Sequence, residues 1–435
     1  MLTTLIASIN VFFSLAMWRG FGFYAGVAVV IAVIGLAFAA WRPFETGTLL
    51  WLAGPLFGSS FVLGSINLDQ LMILLGAAIL CVAALRNKSQ LRVTSLTVLS
   101  LAMALSVGFT AFANKGIGAI GVVRFACTAI ASVILMSAAA KYSGFLMRSL
   151  IICSVVSAII VIMQPYVGWP APYADVVSAG LRYGGLIGHP NFAGYSLATA
   201  ALAVFIMARR RRDYLPLAIL IPAVILTGAR TALIIFVLVL IGYAVIRRPK
   251  SLVWLGLAGA ALLPLSQVMI SRLQSVSATG GIEGANSSGW RFIQWQRSWA
   301  LGDGARGVGI GWQRASELLS QNLGVHNLYL EVAVELGYLG VAFLLIGIVA
   351  VIIGARHSPV KFATCLFALG ASIADPVLLY PSVLAIVVLI WAADDSAHRA
   401  ADESAKRSAD LEDVLDHPTS LDDLIDVQRA PTASP

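Results

Sequence analysis

Apolar runs of roughly 17 to 25 residues, each long enough to cross a bilayer as a helix, follow one another along most of this sequence. Hydrophobic residues make up 59% of the chain and charged residues 11%, and the mean hydropathy is +0.89. Soluble domains contain about 25% charged residues, so this composition excludes an ordinary soluble protein. The pattern predicts an all-α fold, a polytopic bundle of transmembrane helices.

Breaks between the apolar runs predict about fourteen spans, or twelve if short neighbouring pairs merge or re-enter the membrane. The predicted spans are 2–17, 22–40, 46–64, 67–85, 94–113, 117–139, 146–168, 190–208, 213–228, 230–247, 251–270, 326–354, 359–376 and 378–393. They form one transmembrane domain over 1–393. The tail over 394–435 holds 11 of the 21 acidic residues and is low in aromatic residues, which predicts disorder.

Clusters of arginine and lysine predict the orientation, because cytoplasmic loops of membrane proteins are enriched in both. With fourteen spans and a cytoplasmic N-terminus, the clusters at 86–92, 209–212 and 247–250 all face the cytoplasm, and so does the C-terminal tail. These charges lie in short loops between helices, where membrane orientation accounts for them. Nucleic acid is therefore not an expected partner.

The same orientation places three segments on the outer face, at 166–190, 227–230 and 271–325. The last contains about fifty residues, far more than a connection between helices requires, so it is functional or disordered. Its several tryptophans favour a folded element at the membrane interface. We therefore expect one large extracytoplasmic loop that caps a site.

Arginines on the predicted outer face are candidates for holding an anionic ligand, since the planar guanidinium fits phosphate oxygens. Arg230 lies between two apolar spans in LTGARTALIIF, where an ionisable side chain is costly and usually paired or functional. Arg182 precedes a glycine-rich stretch in which His189 and Asn191 begin the next helix, and helix N-termini favour anions. Taken alone, that stretch fits a structural turn equally well.

The stretch GVHNLYLEVAVELGYLG opens the apolar segment 326–354 with a histidine and two carboxylates. Asn327, Glu331 and Glu335 are spaced by four and lie on one stripe if this segment is one helix. His326 is a candidate general base, because imidazole can accept a proton from a hydroxyl at neutral pH. A nearby carboxylate would orient it or neutralise an arginine. The sequence has no second histidine or cysteine at metal-ligand spacing from His326, so neither a metal nor another cofactor is expected.

Three motifs in this order resemble the O-antigen ligase and polymerase family of bacterial envelope enzymes: GHPNFAG after Arg182, then LTGARTA, then a long loop ending in GVGIGWQ and VHNLYLE. The resemblance runs from about Arg182 to Gly340. It implies a metal-independent glycosyltransferase of the inner membrane, with its site on the outer face. Such an enzyme moves a glycan from a polyprenyl-pyrophosphate donor to an acceptor hydroxyl on a lipid or glycan.

The resemblance also implies roles for individual residues. His326 would deprotonate the acceptor, while Arg182 and Arg230 would bind the pyrophosphate. Arg291, in SGWRFIQW, occupies the position of a further loop arginine, and His189 stands where asparagine is common. The predicted substrate-binding residues are Arg291, His189, Asn191, Asn327, Glu331 and Glu335.

Alternatives to a ligase stay open from the sequence. A polymerase, which extends a lipid-linked repeat, needs the same leaving-group site, and the single large loop favours the ligase only slightly. A transporter or flippase of an anionic lipid-linked substrate is the candidate from another class. Its signature would be paired broken helices in two related halves, and no such symmetry is visible in the sequence.

Overall fold

A computed structural model describes residues 38–58, 62–63, 66–87, 91–114, 119–175, 180–253, 256, 287–304, 306–319 and 325–395. Most of these residues lie in α-helices, and the strands among them form two short antiparallel hairpins. Seven helical segments among the described residues are long and apolar enough to cross a membrane. The predicted all-α polytopic bundle is therefore confirmed.

We label the helices in chain order. They are α1 (Pro43–Phe57), α2 (Leu68–Arg86), α3 (Ser95–Ala113), α4 (Ala119–Val167), α5 (Pro190–Met207), α6 (Leu217–Thr227), α7 (Arg230–Arg247), α8 (Ser287–Gly302), α9 (Arg314–Leu318), α10 (Leu328–Glu335), α11 (Gly337–Ala355), α12 (Pro359–Ala371) and α13 (381–395). The hairpins are β1–β2 (Val62–Leu63 and Ile66–Asn67) and β3–β4 (Tyr173–Asp175 and Gly180–Arg182). Helix α4 kinks at Tyr142 and so contains two membrane-length segments, Gly121–Ala139 and Lys141–Val167.

Most predicted spans in the described residues correspond to a helix, although some helices are shorter than predicted. Helix α6 has 11 residues because it begins only at Leu217, after a 3₁₀ turn at Arg211–Tyr214. Helix α12 has 13 residues because it ends at Ala371, before the end of the predicted span. The predicted spans at 2–17, 22–40 and 251–270 lie wholly or mostly outside the described residues, as does the tail from 396. The total of twelve to fourteen spans therefore stays a prediction.

Capping residues and prolines set several helix boundaries. Pro190 and Pro359 occupy the first turns of α5 and α12, where a missing N–H costs nothing. The side chain of Thr94 accepts a hydrogen bond from the N–H of Thr97 at the start of α3. These local signals explain why the starts of these helices agree closely with the sequence prediction.

The prediction of one helix over 326–354 is wrong, because the helix breaks between α10 and α11. Gly337 adopts a φ of 68°, in the left-handed region. The carbonyls of Val334 and Glu335 accept hydrogen bonds from the N–H groups of Ile310 and Gly311, at 3.1 and 3.0 Å. Backbone from the preceding loop thus replaces the bonds that a continuous helix would make.

Helices α5 and α13 lie at the centre of the bundle. In α5, 89% of the membrane-length window is buried, against 28% in α7 and in α11. The hydroxyl of Ser196 donates to that of Ser382 at 2.7 Å, which ties α5 to α13. The site described below is built at one end of this central pair.

Three glycines spaced by seven bring α11 close to α3. A Cβ on Gly347 would lie 2.5 Å from Cδ1 of Leu99, and one on Gly354 would lie 2.2 Å from Oγ of Ser95. Small residues allow this approach, which is typical of packed membrane helices. This packing fixes the position of α11 along the length of α3. It therefore also fixes the position of the break that precedes α11.

Two of the predicted cytoplasmic clusters, 209–212 and 247–250, lie close together at the end of the bundle opposite the site. Arg248, after α7, donates to the carbonyl of Ala208 at 3.1 Å and to the hydroxyl of Tyr214 at 2.6 Å. At the start of α12, Lys361 pairs with Asp394 and Asp395 at the end of α13. The two ends of the bundle are thus clearly distinct, whereas the side of the membrane that each faces stays a prediction.

Candidate active site

Asp375 is the centre of a polar cluster at the other end of the bundle. It lies in the turn between α12 and α13, and its side chain is 1% exposed. Its Oδ1 lies 2.7 Å from Nδ1 of His326, and its Oδ2 accepts from the hydroxyl of Tyr195 at 2.8 Å. Asn191 donates to the same oxygen at 3.4 Å, and Nη2 of Arg291 lies 3.8 Å away. Four side chains from three chain segments therefore converge on one carboxylate.

The charge state of Asp375 follows from these neighbours. Every neighbouring polar group presents a donor to it: the ring of His326, the hydroxyl of Tyr195, the amide of Asn191 and the guanidinium of Arg291. This set of partners fits an ionised carboxylate, which can only accept hydrogen bonds.

His326 precedes α10 in a turn that its own backbone forms, with a φ of 53°. The side chain is 19% exposed, so one part of the ring reaches the surface of the site. Because Asp375 can only accept, Nδ1 of His326 donates, and the neutral imidazole keeps Nε2 as its basic nitrogen. This is the arrangement that a general base requires.

Asn191 connects Arg182 to the cluster. Its Oδ1 accepts from Nη2 of Arg182 at 2.5 Å, while its amide group donates to Asp375. His189 caps α5 by accepting the N–H of Asn191 on Nδ1 at 3.3 Å. Hairpin β3–β4, with Tyr173 paired to Arg182, positions this arginine beside the helix start. The structure therefore brings the predicted residues Arg182, His189 and Asn191 together.

Arg230 begins α7, immediately after the turn that starts at Thr227. This turn packs against α5, since a Cβ on Gly194 would lie 2.4 Å from Cβ of Ala229. Nε of Arg182 donates to the carbonyl of Thr227 at 3.2 Å, so the two arginines flank the same turn. The side chain of Arg230 is partly buried and makes no hydrogen bond or ion pair within the part of the chain that the structure describes. An anionic ligand would supply its missing partner.

Two of the predicted substrate-binding residues have structural contacts instead. The Glu335 carboxylate is 1% exposed and accepts the N–H groups of Gln313 and Ala315, at 2.7 and 3.1 Å. It thereby holds the segment 306–319, which we call the cap segment, and substrate contact at Glu335 stays a prediction. Asn327 caps α10 through the N–H of Leu330 and donates to another backbone carbonyl. Its polar atoms hold the turn in which the histidine lies.

Asp375, Tyr195 and Tyr380 belong to this site but were not predicted from the sequence. Tyr380 packs on Tyr195 with ring centroids 6.2 Å apart. A signal for Asp375 existed, since it is a single carboxylate within the otherwise apolar runs 359–376 and 378–393. An isolated ionisable residue at such a position is a functional candidate by itself.

The fold and this site define a multi-pass membrane protein with a buried polar cluster at one end of its helix bundle. Residues 215–345 match the family model described as O-antigen ligase. The match agrees with the resemblance seen in the motifs, and it supports similarity to membrane glycosyltransferases of the ligase and polymerase type. A search of curated proteins gave no match.

The matched segment includes Arg230, Arg291 and His326, whereas Arg182, Asn191 and Asp375 lie outside it. The site is thus assembled from residues inside the matched segment and residues outside it. The roles of its residues are the subject of the proposal that follows.

Proposed function

We propose that this protein transfers a glycan from a polyprenyl-pyrophosphate-linked donor to an acceptor hydroxyl, at the outer face of the bacterial inner membrane. The observation that carries the proposal is the hydrogen bond between Nδ1 of His326 and the buried carboxylate of Asp375, in a site flanked by three arginines. This geometry supports a base that removes a proton beside an anionic leaving group.

The proposed reaction uses these groups in one displacement. Nε2 of His326 takes the proton of the acceptor hydroxyl as its oxygen attacks the anomeric carbon of the donor sugar. The bond from that carbon to the phosphate oxygen breaks, and polyprenyl pyrophosphate leaves with the electron pair. Asp375 stabilises the imidazolium that forms, as the carboxylate does in other base–carboxylate pairs.

The arginines are proposed to hold the pyrophosphate. Arg230 has no partner of its own in the described structure, so it is the first candidate to contact phosphate oxygens. Arg291, which is 3.8 Å from Asp375 and 27% exposed in its side chain, is the second. Arg182 is engaged by Asn191 and Thr227, and we assign it to position the turn before Arg230 as well as to bind the anion.

The test is a transfer assay in reconstituted membranes with polyprenyl-pyrophosphate oligosaccharide, with and without a chelator. Loss of the general base in His326→Ala should lower the transfer rate about 10²- to 10⁴-fold and leave donor binding intact. Arg230→Ala should weaken donor binding. Exposed arginine Arg297, on α8, provides the matched control as Arg297→Ala. Full transfer activity in both site variants would refute the proposal, and so would a requirement for a metal ion.

The products of the same assay separate ligase from polymerase. A ligase yields one transfer to a different lipid or protein acceptor, whereas a polymerase yields products that lengthen by whole repeats. We favour the ligase because the sequence predicts a single large loop, 271–325, as one capping element. Movement of the donor lipid across the bilayer, without any new glycosidic bond, would instead support a transporter.

A further inference from the structure

A single amide side chain lies in the apolar run 146–168, which ends α4. This residue, Gln164, lies in the last turn of the helix and is 2% exposed. Its Nε2 donates to the carbonyls of Pro170 and Ala171, at 2.7 and 3.3 Å, and its Oε1 accepts the N–H of Gly185 at 2.8 Å. A buried amide is costly unless its polar atoms are paired. Gln164 therefore connects parts of the protein to one another and presents no free donor to a ligand.

These hydrogen bonds close the base of hairpin β3–β4. The carbonyls at 170 and 171 precede β3, which begins at Tyr173, and the N–H at 185 follows β4, which ends at Arg182. Arg182 thus lies three residues from the bond at Gly185, and it pairs with Tyr173 across the two strands. One side chain of α4 therefore holds the chain on both sides of the hairpin that carries this arginine.

Gly185 fits closely against α4. It adopts a φ of 56°, in the left-handed region, and a Cβ there would lie 2.9 Å from Cγ2 of Val161, one turn before Gln164. The 3₁₀ turn that starts at this glycine ends in a carbonyl that accepts the N–H of His189 at 3.0 Å, directly before α5. The same anchor therefore also sets the start of α5, which carries Asn191.

Arg182 depends on both of these anchored parts of the chain. Its Nη2 donates to Oδ1 of Asn191 at 2.5 Å, and its Nε donates to the carbonyl of Thr227 at 3.2 Å. A guanidinium is planar and its donors point in fixed directions, so it keeps such contacts only at one separation of the hairpin from the helix start. A shift of the hairpin relative to α5 would therefore misalign this guanidinium.

We propose that Gln164 is a positioning residue for pyrophosphate binding and that it acts through Arg182. Its amide holds the hairpin and the start of α5 at the separation that aims the guanidinium at the anion. The inference rests on the proposed function and deepens it, because it assigns part of the affinity for the anion to a side chain that does not touch it. Gln164 is uncharged and bonds only to backbone, so its replacement changes the geometry of the site but not its charge.

The test is a double-mutant cycle on the full chain in nanodiscs, with sugar-free polyprenyl pyrophosphate as the probe. Arg182→Ala should weaken binding of the probe about tenfold to a hundredfold, since it removes a charged hydrogen-bond donor. Gln164→Met, which is similar in size but lacks the amide, should weaken binding about tenfold. In the double variant Gln164→Met should add less than about twofold, because the guanidinium that it positions is absent.

Thr97→Val is the matched control. Thr97 is 1% exposed and lies at the start of α3, where its hydroxyl hydrogen-bonds with those of Ser132 and Thr94. The variant should lower the melting temperature, as Gln164→Met does, and leave binding of the probe within about twofold of the unmodified protein. Hydrogen exchange provides a direct readout, since the N–H groups of Gly185 and β4 should exchange faster in Gln164→Met and not in Thr97→Val.

A purely structural role predicts different results. Equal weakening by Gln164→Met with and without Arg182 would overturn the positioning role, and so would a lowered melting temperature with unchanged binding. If Gln164→Met does not fold, Gln164→Glu keeps the side-chain length and an acceptor for Gly185, and it enters the same cycle with the same expected coupling.

The proposed function fails in a different way. Full transfer activity in His326→Ala and Arg230→Ala would refute the reaction but would leave the coupling between Gln164 and Arg182 standing. Normal binding of the probe in Arg182→Ala would overturn the inference drawn from Gln164, whereas the transfer assay would still judge the reaction.

Discussion

Replacing Asp375 with asparagine removes one charge and almost no volume, and we expect it to slow transfer without weakening the donor complex. All four partners of the carboxylate are donors: His326, Tyr195, Asn191 and Arg291. The amide of asparagine must therefore turn its NH₂ group towards one of them. If it faces His326, the imidazole adopts the wrong tautomer. If the NH₂ group faces Tyr195, Asn191 and Arg291 instead, its N–H groups point at the donors of these side chains and no hydrogen bond forms.

The size of the effect follows from the lost interaction. A hydrogen bond to a charged partner is worth about 1.5–3 kcal/mol, which corresponds to a fall in kcat of about 10- to 150-fold. Donor binding should be retained, because Asp375 is an anion beside Arg291 and its neutralisation leaves that arginine freer to bind phosphate. The assay is single-turnover transfer with saturating donor, together with a direct measurement of donor affinity.

Asp303→Asn is the matched control, since it makes the same change in an exposed residue that pairs with Arg306. Its kcat should stay within twofold of the unmodified protein. An unchanged kcat in Asp375→Asn, or a loss confined to donor affinity, would refute the assignment of Asp375 as the partner of a catalytic base.

Three further predictions test the surrounding structure. Tyr195→Phe removes one hydrogen bond to Asp375 and should lower kcat about two- to tenfold, with the folded fraction unchanged in gel filtration. Gly347→Val would place Cβ 2.5 Å from a leucine of α3 and should destabilise the bundle by about 1–3 kcal/mol, measured as a lower melting temperature. Gly242→Val is its control, because a Cβ there meets nothing within 4 Å, so equal losses would contradict the packing argument. Glu335→Gln opposes an amide to two backbone N–H groups and should loosen the cap segment, detected as faster proteolysis there; unchanged cleavage would argue against this anchor.

Much of the helical architecture could be predicted because it depends on local chain properties. The bounds of α5 and α7 agree with the predicted spans to within one residue, since proline, glycine and charged residues mark their ends. The break at Gly337 could not be predicted in the same way. It depends on hydrogen bonds from residues 310 and 311, and an apolar run gives no sign that a distant backbone will supply them.

In the candidate site too, some features could be predicted from the sequence and others could not. His326, Arg230 and Asn191 stand out in the sequence because a polar residue in an apolar setting is unusual. Asp375, the partner of His326 and Asn191, also stands out as an isolated carboxylate, but the sequence does not link it to them, because it is 184 residues from Asn191 and only the folded bundle joins them. Glu331 and Glu335 were predicted to share one role from their spacing. The cap segment separates them, since it occupies the carboxylate of Glu335 and leaves that of Glu331 without a hydrogen bond in the described structure.

The break between α10 and α11 also determines which parts of this protein are exchangeable. The backbone of the cap segment completes the hydrogen bonding at the end of α10. The cap segment and the helix that follows His326 therefore form one structural unit. A chimera that swaps the loop alone would leave the carbonyls of Val334 and Glu335 without donors inside a membrane protein. Chimeras with a relative should therefore fold when their junctions fall outside residues 306–340, and a swap of the loop alone should lower the folded yield.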